Sequence, residues 1–391
     1  MSFPALYTAR RHPLPDERRV AHIITGLTMG GAETSLYRML AATAGRGVGA
    51  IVISMLDKGA LGPVIEELGV PVYALGMRRG LPTPGAVRRL AQILRTSRVD
   101  VVQGWMYHAN VAASVVTKLA RLDVPVLWNV RHALDDLASE RRSARRMIAL
   151  SAKLSSSPKR IVYNSLASAR QHEAHGFASS GSIVIGNGFD LVQFAPNDIA
   201  RRRIRSQLGI DNDVPVVSLV GRDHPVKDHA NFVCAAALVA RDVPDAVFVM
   251  VGRGVDATNA RLTALAAELG ITERVRMLGE RRDVAAIMAA TDVMVSSSWT
   301  EAFPNVVGEA MACGVPCVVT DVGDSSWIVG STGRVVPPRN PQALAAAVRG
   351  VLALHPTERK QLGVAARQRV EQEFSLAAVA HRYEDLYRTL T

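Results

Sequence analysis

Short apolar runs alternate with helix-length segments along most of the chain, and this alternation restricts the fold more than any other feature. Runs at residues 20–25, 50–55, 70–74, 99–103, 125–129 and 160–164 are too short for packed helices. The segments 33–44, 61–67, 85–96 and 108–121 between them carry apolar residues at helical spacing. After 183–185 a second series begins, with runs at 214–220, 246–251, 275–278, 293–296, 316–320 and 333–336. Its helical segments fall at 199–208, 230–241, 261–269, 284–289 and 306–313. Such a pattern predicts an α/β fold with parallel sheets covered on both faces. With 391 residues, 48% of them hydrophobic, the chain can bury two cores. The turn-rich stretch 186–197 separates the two series and places one domain at 1–190 and a second at 191–375.

Charge is distributed unevenly. The whole net charge of +11 lies in residues 1–190, which hold 24 Lys+Arg against 13 Asp+Glu. Its densest part runs from Arg141 through Arg142, Arg145 and Arg146 to Lys153, on a helical spacing with Ile148, Leu150 and Leu154. A solvated helix face accounts for this, as does contact with an anionic membrane surface or a pyrophosphate-linked acceptor. Nucleic acid is not an expected partner, because no aromatic interleaving or recognised motif accompanies the cations. Three cysteines (Cys234, Cys313, Cys317) cannot build a disulfide framework and point to a reducing, cytoplasmic setting. No apolar run reaches the roughly 18 residues of a membrane span, and the first residues do not read as a signal peptide.

The chemistry concentrates at residues 299–324. Glu301 and Glu309 stand eight apart, Glu301 in a loop after an apolar strand and Glu309 inside the following helix. Pro304 suits the first turn of that helix, where a missing N–H costs nothing. A strand–loop–helix corner with open backbone N–H groups suits an anionic or hydroxyl-rich ligand. At the end of another strand, Val220-Gly221-Arg222 is followed by Lys227, so two cations precede a helix as a diphosphate requires. Near the start, Gly26 to Gly31 form a turn that does not match Gly-x-Gly-x-x-Gly and lacks the Lys-Ser/Thr of a phosphate loop.

The stretch Glu301-Ala-Phe303-Pro304-Asn305-Val-Val-Gly-Glu309-Ala-Met-Ala-Cys-Gly-Val-Pro resembles the Glu-x7-Glu motif of group 1 (family four) retaining glycosyltransferases. The resemblance implies the GT-B architecture, two Rossmann-like α/β domains whose parallel sheets face a central cleft. It implies an acceptor-binding domain at 1–190, completed by a returning helix at 376–391, and a nucleotide-sugar-binding domain at 191–375. Asn187-Gly188-Phe189-Asp190 is similar to the family's inter-domain signature. The resemblance gives Glu309 to the nucleotide ribose and Glu301, with the backbone at Phe303 and Asn305, to the transferred sugar. Arg222 and Lys227 match the diphosphate clamp, and Gly30-Gly31-Ala-Glu33 the donor-proximal loop. His108 aligns with a first-domain histidine that approaches the donor sugar. Arg131 and His132 occupy the equivalent edge of the next unit and are acceptor or phosphate candidates. One departure is Asp223-His224-Pro225, which puts a negative charge beside the clamp.

The implied reaction moves a sugar from a nucleoside-diphosphate donor, UDP-linked, to the hydroxyl of a glycan or lipid-linked acceptor in cell-surface polysaccharide or glycolipid synthesis. It proceeds with retention, by a front-face mechanism, and without metal or cofactor. Asp211 and Asp213 have the spacing of a metal-binding pair but precede their strand, and His172 and His175 lack the spacing of a zinc pair. Three alternatives stay open: a sugar-nucleotide epimerase on the same scaffold, a nicotinamide dehydrogenase, disfavoured by the glycine turn, and a glycan- or lipid-binding module without activity.

Overall fold

The computed structural model describes residues 18–78, 83–134, 137 and 140–390. The chain divides into two compact units, Met1–Gly188 with Leu376–Thr391, and Phe189–Ser375. The first unit runs β1 (Arg18–Ile24), α1 (Gly31–Thr43), β2 (Val48–Ser54), α2 (Leu61–Glu67), β3 (Val72–Ala74), α3 (Pro84–Thr96), β4 (Val101–Trp105), α4 (Met106–Leu119), β5 (Val126–Val130), α5 (Arg142–Leu154), β6 (Arg160–Tyr163), α6 (Leu166–Ala174) and β7 (Ser182–Val184). Its strands pair in parallel in the order β3-β2-β1-β4-β5-β6-β7. Because helices cover both faces, alternate residues of one strand enter different cores. Val20 and Ile24 pack into one cluster, Ala21 and Ile23 into another. That explains why the strands read as unbroken apolar runs.

The second unit continues with α7 (Asp198–Gln207), β8 (Val216–Val220), α8 (His229–Asp242), β9 (Val247–Val251), α9 (Ala260–Glu268), β10 (Val275–Met277), α10 (Val284–Ala290), β11 (Val293–Ser296), α11 (Asn305–Ala312), β12 (Cys317–Thr320), α12 (Ser325–Val329), β13 (Arg334–Val336), α13 (Pro341–Leu352) and α14 (Pro356–Glu373). Its parallel sheet has the order β10-β9-β8-β11-β12-β13. In each sheet the winding reverses once, at β1/β4 and at β8/β11. Ligands of open parallel sheets bind outside the carboxyl ends of the strands at such a reversal.

The last helix, α15 (Leu376–Arg388), belongs to the first unit. Val379, Tyr383, Leu386 and Tyr387 share a core cluster with Val20, Leu36 and Met39. Each large apolar side chain buried this way stabilises the unit by about 1.5–3 kcal/mol. Tyr387 Oη donates to Gln103 Oε1 at 2.5 Å, and Asn129 Nδ2 donates to Tyr383 Oη at 2.8 Å. The helix is therefore held by directed bonds as well as by area.

Several elements differ from the sequence reading. Helices α6, α12, α13 and α14 lie outside the expected units. Pro304 stands at the N-cap of α11, not in its first turn, which starts at Asn305. Asp211 lies at the amino end of β8, where buried Arg205 donates to the carbonyls of Asp211, Asn212 and Val214 at 2.8, 3.1 and 2.7 Å. That end is opposite the edge at which Arg222 emerges.

Candidate functional site

The second unit's winding reversal collects four of the expected residues. Gly221 and Arg222 leave the end of β8, and the chain turns through a short 3-10 segment, Pro225–Lys227, into α8. Asp228 caps α8 from a left-handed conformation (φ 48°), its carboxylate accepting from Asn231 N at 3.2 Å. The loop after β11 is stitched to this turn. Trp299 N donates to Val226 O at 3.0 Å, and Ser297 Oγ donates to Lys227 O and Asp228 O at 2.9 and 3.0 Å. The stitching brings Lys227 Nζ into an ion pair with Glu301 Oε1, which also accepts from Ser298 Oγ at 2.8 Å. Lys227 and Glu301 side chains are largely shielded, at 23% and 14% exposure, so their attraction is less screened than a surface pair's. Arg222 is exposed and makes no ion pair or hydrogen bond among the described residues.

Glycines allow the loops to approach this closely. A Cβ on Gly252 would lie 2.0 Å from Gly221 O, and one on Gly323 (φ 54°) 2.1 Å from Glu301 O. The aliphatic stem of Lys227 runs over Gly221, with carbons 3.4–3.7 Å from where a Cβ would stand. The charge of Asp223 is compensated within the loop: Arg261 Nη2 lies 2.7 Å away and Asn259 Nδ2 donates at 2.9 Å. Buried His229 donates from Nε2 to Gly221 O at 3.2 Å, and burial holds its pKa below the ordinary imidazole value.

Helix α11 starts at Asn305 with no side chain capping its N-terminus. Glu309 lies half-buried one turn further on. Phe303 does not face solvent; its ring is buried against Phe189, Trp327 and Phe374, so only its backbone is available to a ligand. A Cβ on Gly308 would meet the Phe189 ring at 2.1 Å, which shows how tightly α11 is seated.

In the first unit, Gly30 and Gly31 follow β1 and His108 follows β4, again the two strands at the winding reversal. Gly30 is the N-cap of α1, and the Glu33 carboxylate folds back over it, 2.3 Å from where a Cβ would stand. Burial raises the Glu33 pKa. Strand β4 passes into α4 through Met106 at φ 67°, a left-handed conformation costly for a side chain of this kind. His108 lies in the first turn beyond it, exposed, yet with its pKa lowered by partial desolvation, so the ring is neutral at pH 7.

Arg131 has the most internal contacts of the expected first-unit residues. Nη1 donates to Asn129 Oδ1 and Tyr383 Oη, both at 3.3 Å, and Nη2 donates to Asn187 Oδ1. Its guanidinium also lies over the Trp105 ring, 5.5 Å from the centroid. These contacts give it a structural place, anchoring α15 and the segment before Gly188. His132 is more open, its Nε2 3.0 Å from Glu140 Oε1. His172 is buried between Tyr107 Oη at 2.8 Å and Ser168 O at 2.7 Å, a core position. Ser297, Ser298 and Trp299, which bond to the Pro225–Asp228 segment and to Glu301, lie outside the Glu-x7-Glu motif.

A model of the family described as "Glycosyl transferases group 1" matches residues 214–353, and one described as "Glycosyltransferase Family 4" matches residues 29–193. The chain belongs to the group 1 glycosyltransferases. The first match contains Arg222, Lys227, Glu301 and Glu309; the second contains Gly30, Gly31, His108, Arg131 and His132. Among relatives, this glycosyltransferase is 35% identical over 207 residues to D-inositol 3-phosphate glycosyltransferase of Mycolicibacterium gilvum (strain PYR-GCK), a match covering 51% of this chain and 45% of that one. It is 34% identical over 149 residues to UDP-Gal:alpha-D-GlcNAc-diphosphoundecaprenol alpha-1,3-galactosyltransferase of Escherichia coli, covering 37% and 38%. The matches thus span less than half the length of these relatives. Among solved structures, Anabaena HepE in complex with UDP superposes with a TM-score of 0.79 at 24% identity, over 95% of this chain and all of that one. The two Rossmann-like halves, of seven and six parallel strands, are those of the GT-B fold.

Proposed function

We propose that this chain transfers a sugar from a nucleoside-diphosphate sugar, UDP-linked, to an acceptor hydroxyl with retention at the anomeric carbon. The observation that carries the reading is the shielded Lys227–Glu301 pair at the β8/β11 reversal, with Arg222, unpaired among the described residues, on the end of β8. Lys227 and Arg222 take the diphosphate and stabilise the charge that grows as the sugar–phosphate bond breaks. Glu301 accepts from a hydroxyl of the transferred sugar and Glu309 from the ribose hydroxyls. The N–H groups opening α11 add their dipole at the same corner. His108, neutral at pH 7, offers a hydrogen bond to the donor sugar rather than a charge. The new bond forms between the acceptor oxygen and the anomeric carbon while the acceptor proton passes to the leaving phosphate. This chemistry needs no metal and no carboxylate nucleophile.

UDP is favoured by the name of the Escherichia coli relative and by the ligand in the HepE structure. The same relative acts on a diphosphoundecaprenol-linked sugar, which supports a glycan or lipid-linked acceptor and a place in polysaccharide or glycolipid synthesis. His132 is the stronger acceptor candidate, given the internal contacts of Arg131. A basic, partly apolar face on α4 and α5 suits a peripheral position on an anionic membrane on its cytoplasmic side. No helix of the described residues is long and apolar enough to cross a membrane.

The test is incubation with a panel of nucleotide sugars and simple acceptors, with and without EDTA, following product by NMR. One UDP-sugar should be consumed with its anomeric configuration kept, at a rate EDTA leaves unchanged. Loss of activity restored by Mn2+ would contradict the metal-free step, and an epimer formed without acceptor would replace transfer by epimerisation.

A further inference from the structure

Trp299 stands two residues before Glu301, and neither the motif nor the mechanism uses it. Its indole Nε1 donates to Pro225 O at 3.0 Å, and its backbone N donates to Val226 O at 3.0 Å. Both acceptors belong to the 3-10 turn that ends at Lys227. One residue therefore grips two consecutive carbonyls of the segment that aims the lysine. On its ring lies the Arg339 guanidinium, 4.7 Å from the centroid. Arg339 follows β13 and is held at φ 55°, left-handed for a residue with a Cβ. Strain of this kind persists only where surrounding contacts enforce it, and the stacking on Trp299 is such a contact. Three loops, after β8, β11 and β13, thus meet on one indole.

We propose that Trp299 is a positioning residue. It fixes the Pro225–Lys227 turn so that Lys227 Nζ meets the diphosphate without a search, and Arg339 pins the indole in place. The inference rests on the proposed function, because it needs Lys227 to bind phosphate. A free turn would leave the lysine in several orientations, and reordering it on binding would cost affinity. Only the indole bond is lost in Trp299→Phe, which keeps an aromatic ring under Arg339.

The experiment is a double-mutant cycle read by titration with UDP and by kcat and KM for the donor. Trp299→Phe should weaken UDP binding about three- to tenfold, the value of one hydrogen bond, and lower kcat/KM alike. In a Lys227→Ala background the same change should weaken UDP less than twofold, because nothing remains to be aimed. Equal effects in both backgrounds would overturn the inference while leaving the proposed function standing. Wild-type UDP affinity in Trp299→Phe would also overturn it. Wild-type UDP affinity in Lys227→Ala would instead remove the proposed clamp, and Trp299's role with it. Should Trp299→Phe prove unstable on heating, Arg339→Gln, which loses the stacking but keeps the indole bond, runs through the same cycle. It should show a smaller loss of UDP affinity that likewise vanishes without Lys227.

Discussion

At the scale of single residues, the proposed function rests on the Lys227–Glu301 pair. Each is the other's ion-pair partner in this structure, so under the proposed function Glu301 holds the lysine at the corner where the diphosphate would bind. Lys227→Ala removes that cation and leaves Glu301, among the described residues, with only Ser298 Oγ. Turnover should fall about 100- to 1,000-fold, as for loss of a donor that stabilises transition-state charge. Steady-state kinetics on the preferred UDP-sugar check this, and a rate within twofold of wild type refutes the clamp. The placement of both glutamates and both cations was legible in the sequence because each sits at a fixed offset from a strand end, and a motif records such offsets. The contacts of Arg131 were not legible. Its partners, Asn187 and Tyr383, are 56 and 252 residues away in the chain, and no local pattern announces contacts of that span. The compensation of Asp223 by Arg261, across 38 residues, was hidden for the same reason.

At the scale of elements, the strands read well because burial on both faces leaves them almost wholly apolar. Of the helices that escaped, α13 buries an ordinary apolar stripe of Leu344, Ala345, Val348 and Val351, whereas α6, α12 and α14 bury small or short faces. Helix α14 buries Gly363, Ala366 and Val370, and a Cβ on Gly363 would meet Gly314 O at 2.0 Å, so close backbone approach replaces an apolar stripe. Its start is marked instead by a capping box, His355 with Glu358, and by Pro356. The elements also carry two testable strengths. Arg205 ties α7 to β8 and β11 through Asp292, which also accepts from Val216 N at 2.8 Å. Arg205→Ala would leave that carboxylate to Arg201 and Val216 N and remove the donor of four carbonyls; it should destabilise the second unit by about 1–3 kcal/mol, read from urea unfolding. A loss under 1 kcal/mol would show the carboxylate rescued by Arg201 alone. Helix α6 is held to Tyr107 by neutral His172, whose pKa burial lowers to about 4. The unfolded chain binds that proton near pH 6.5, so the contribution is complete above pH 6.5 and shrinks as pH falls toward 4. The slope is about 1.4 kcal/mol per pH unit. Unfolding at pH 7.5 and 5.0 should show a smaller pH difference in His172→Gln than in wild type; an equal difference would place the titration elsewhere.

At the scale of the whole molecule, the excess charge in residues 1–190 and Leu150 beside its arginines were plain from the sequence, but the helix packed next to them was not. Helices α4 and α5 pack side by side and together contain no Asp or Glu. Lys118, Arg142, Arg145, Arg146 and Lys153 are exposed on them. Among these cations stand Val115, Leu119 and Leu150, at 41%, 67% and 42% exposure. Helical spacing already sets Leu150 among the arginines; the packing of α4 beside α5 adds Val115 and Leu119. Cations interspersed with exposed aliphatic side chains suit an anionic lipid surface, which attracts each basic group by about 1 kcal/mol and accepts the aliphatic ones below its headgroups. The protein should therefore sediment with phosphatidylglycerol vesicles at low salt and not with phosphatidylcholine vesicles. Raising the salt tenfold should release most of it, because the interaction is screened within a Debye length. Leu119→Asp with Leu150→Asp should weaken binding more than salt explains, while turnover on a water-soluble acceptor stays unchanged, since neither residue belongs to the donor corner. Failure to bind anionic vesicles at low salt would remove the membrane from the account and leave a solvated basic face. Binding that survives high salt and the double substitution would place the contact on another surface.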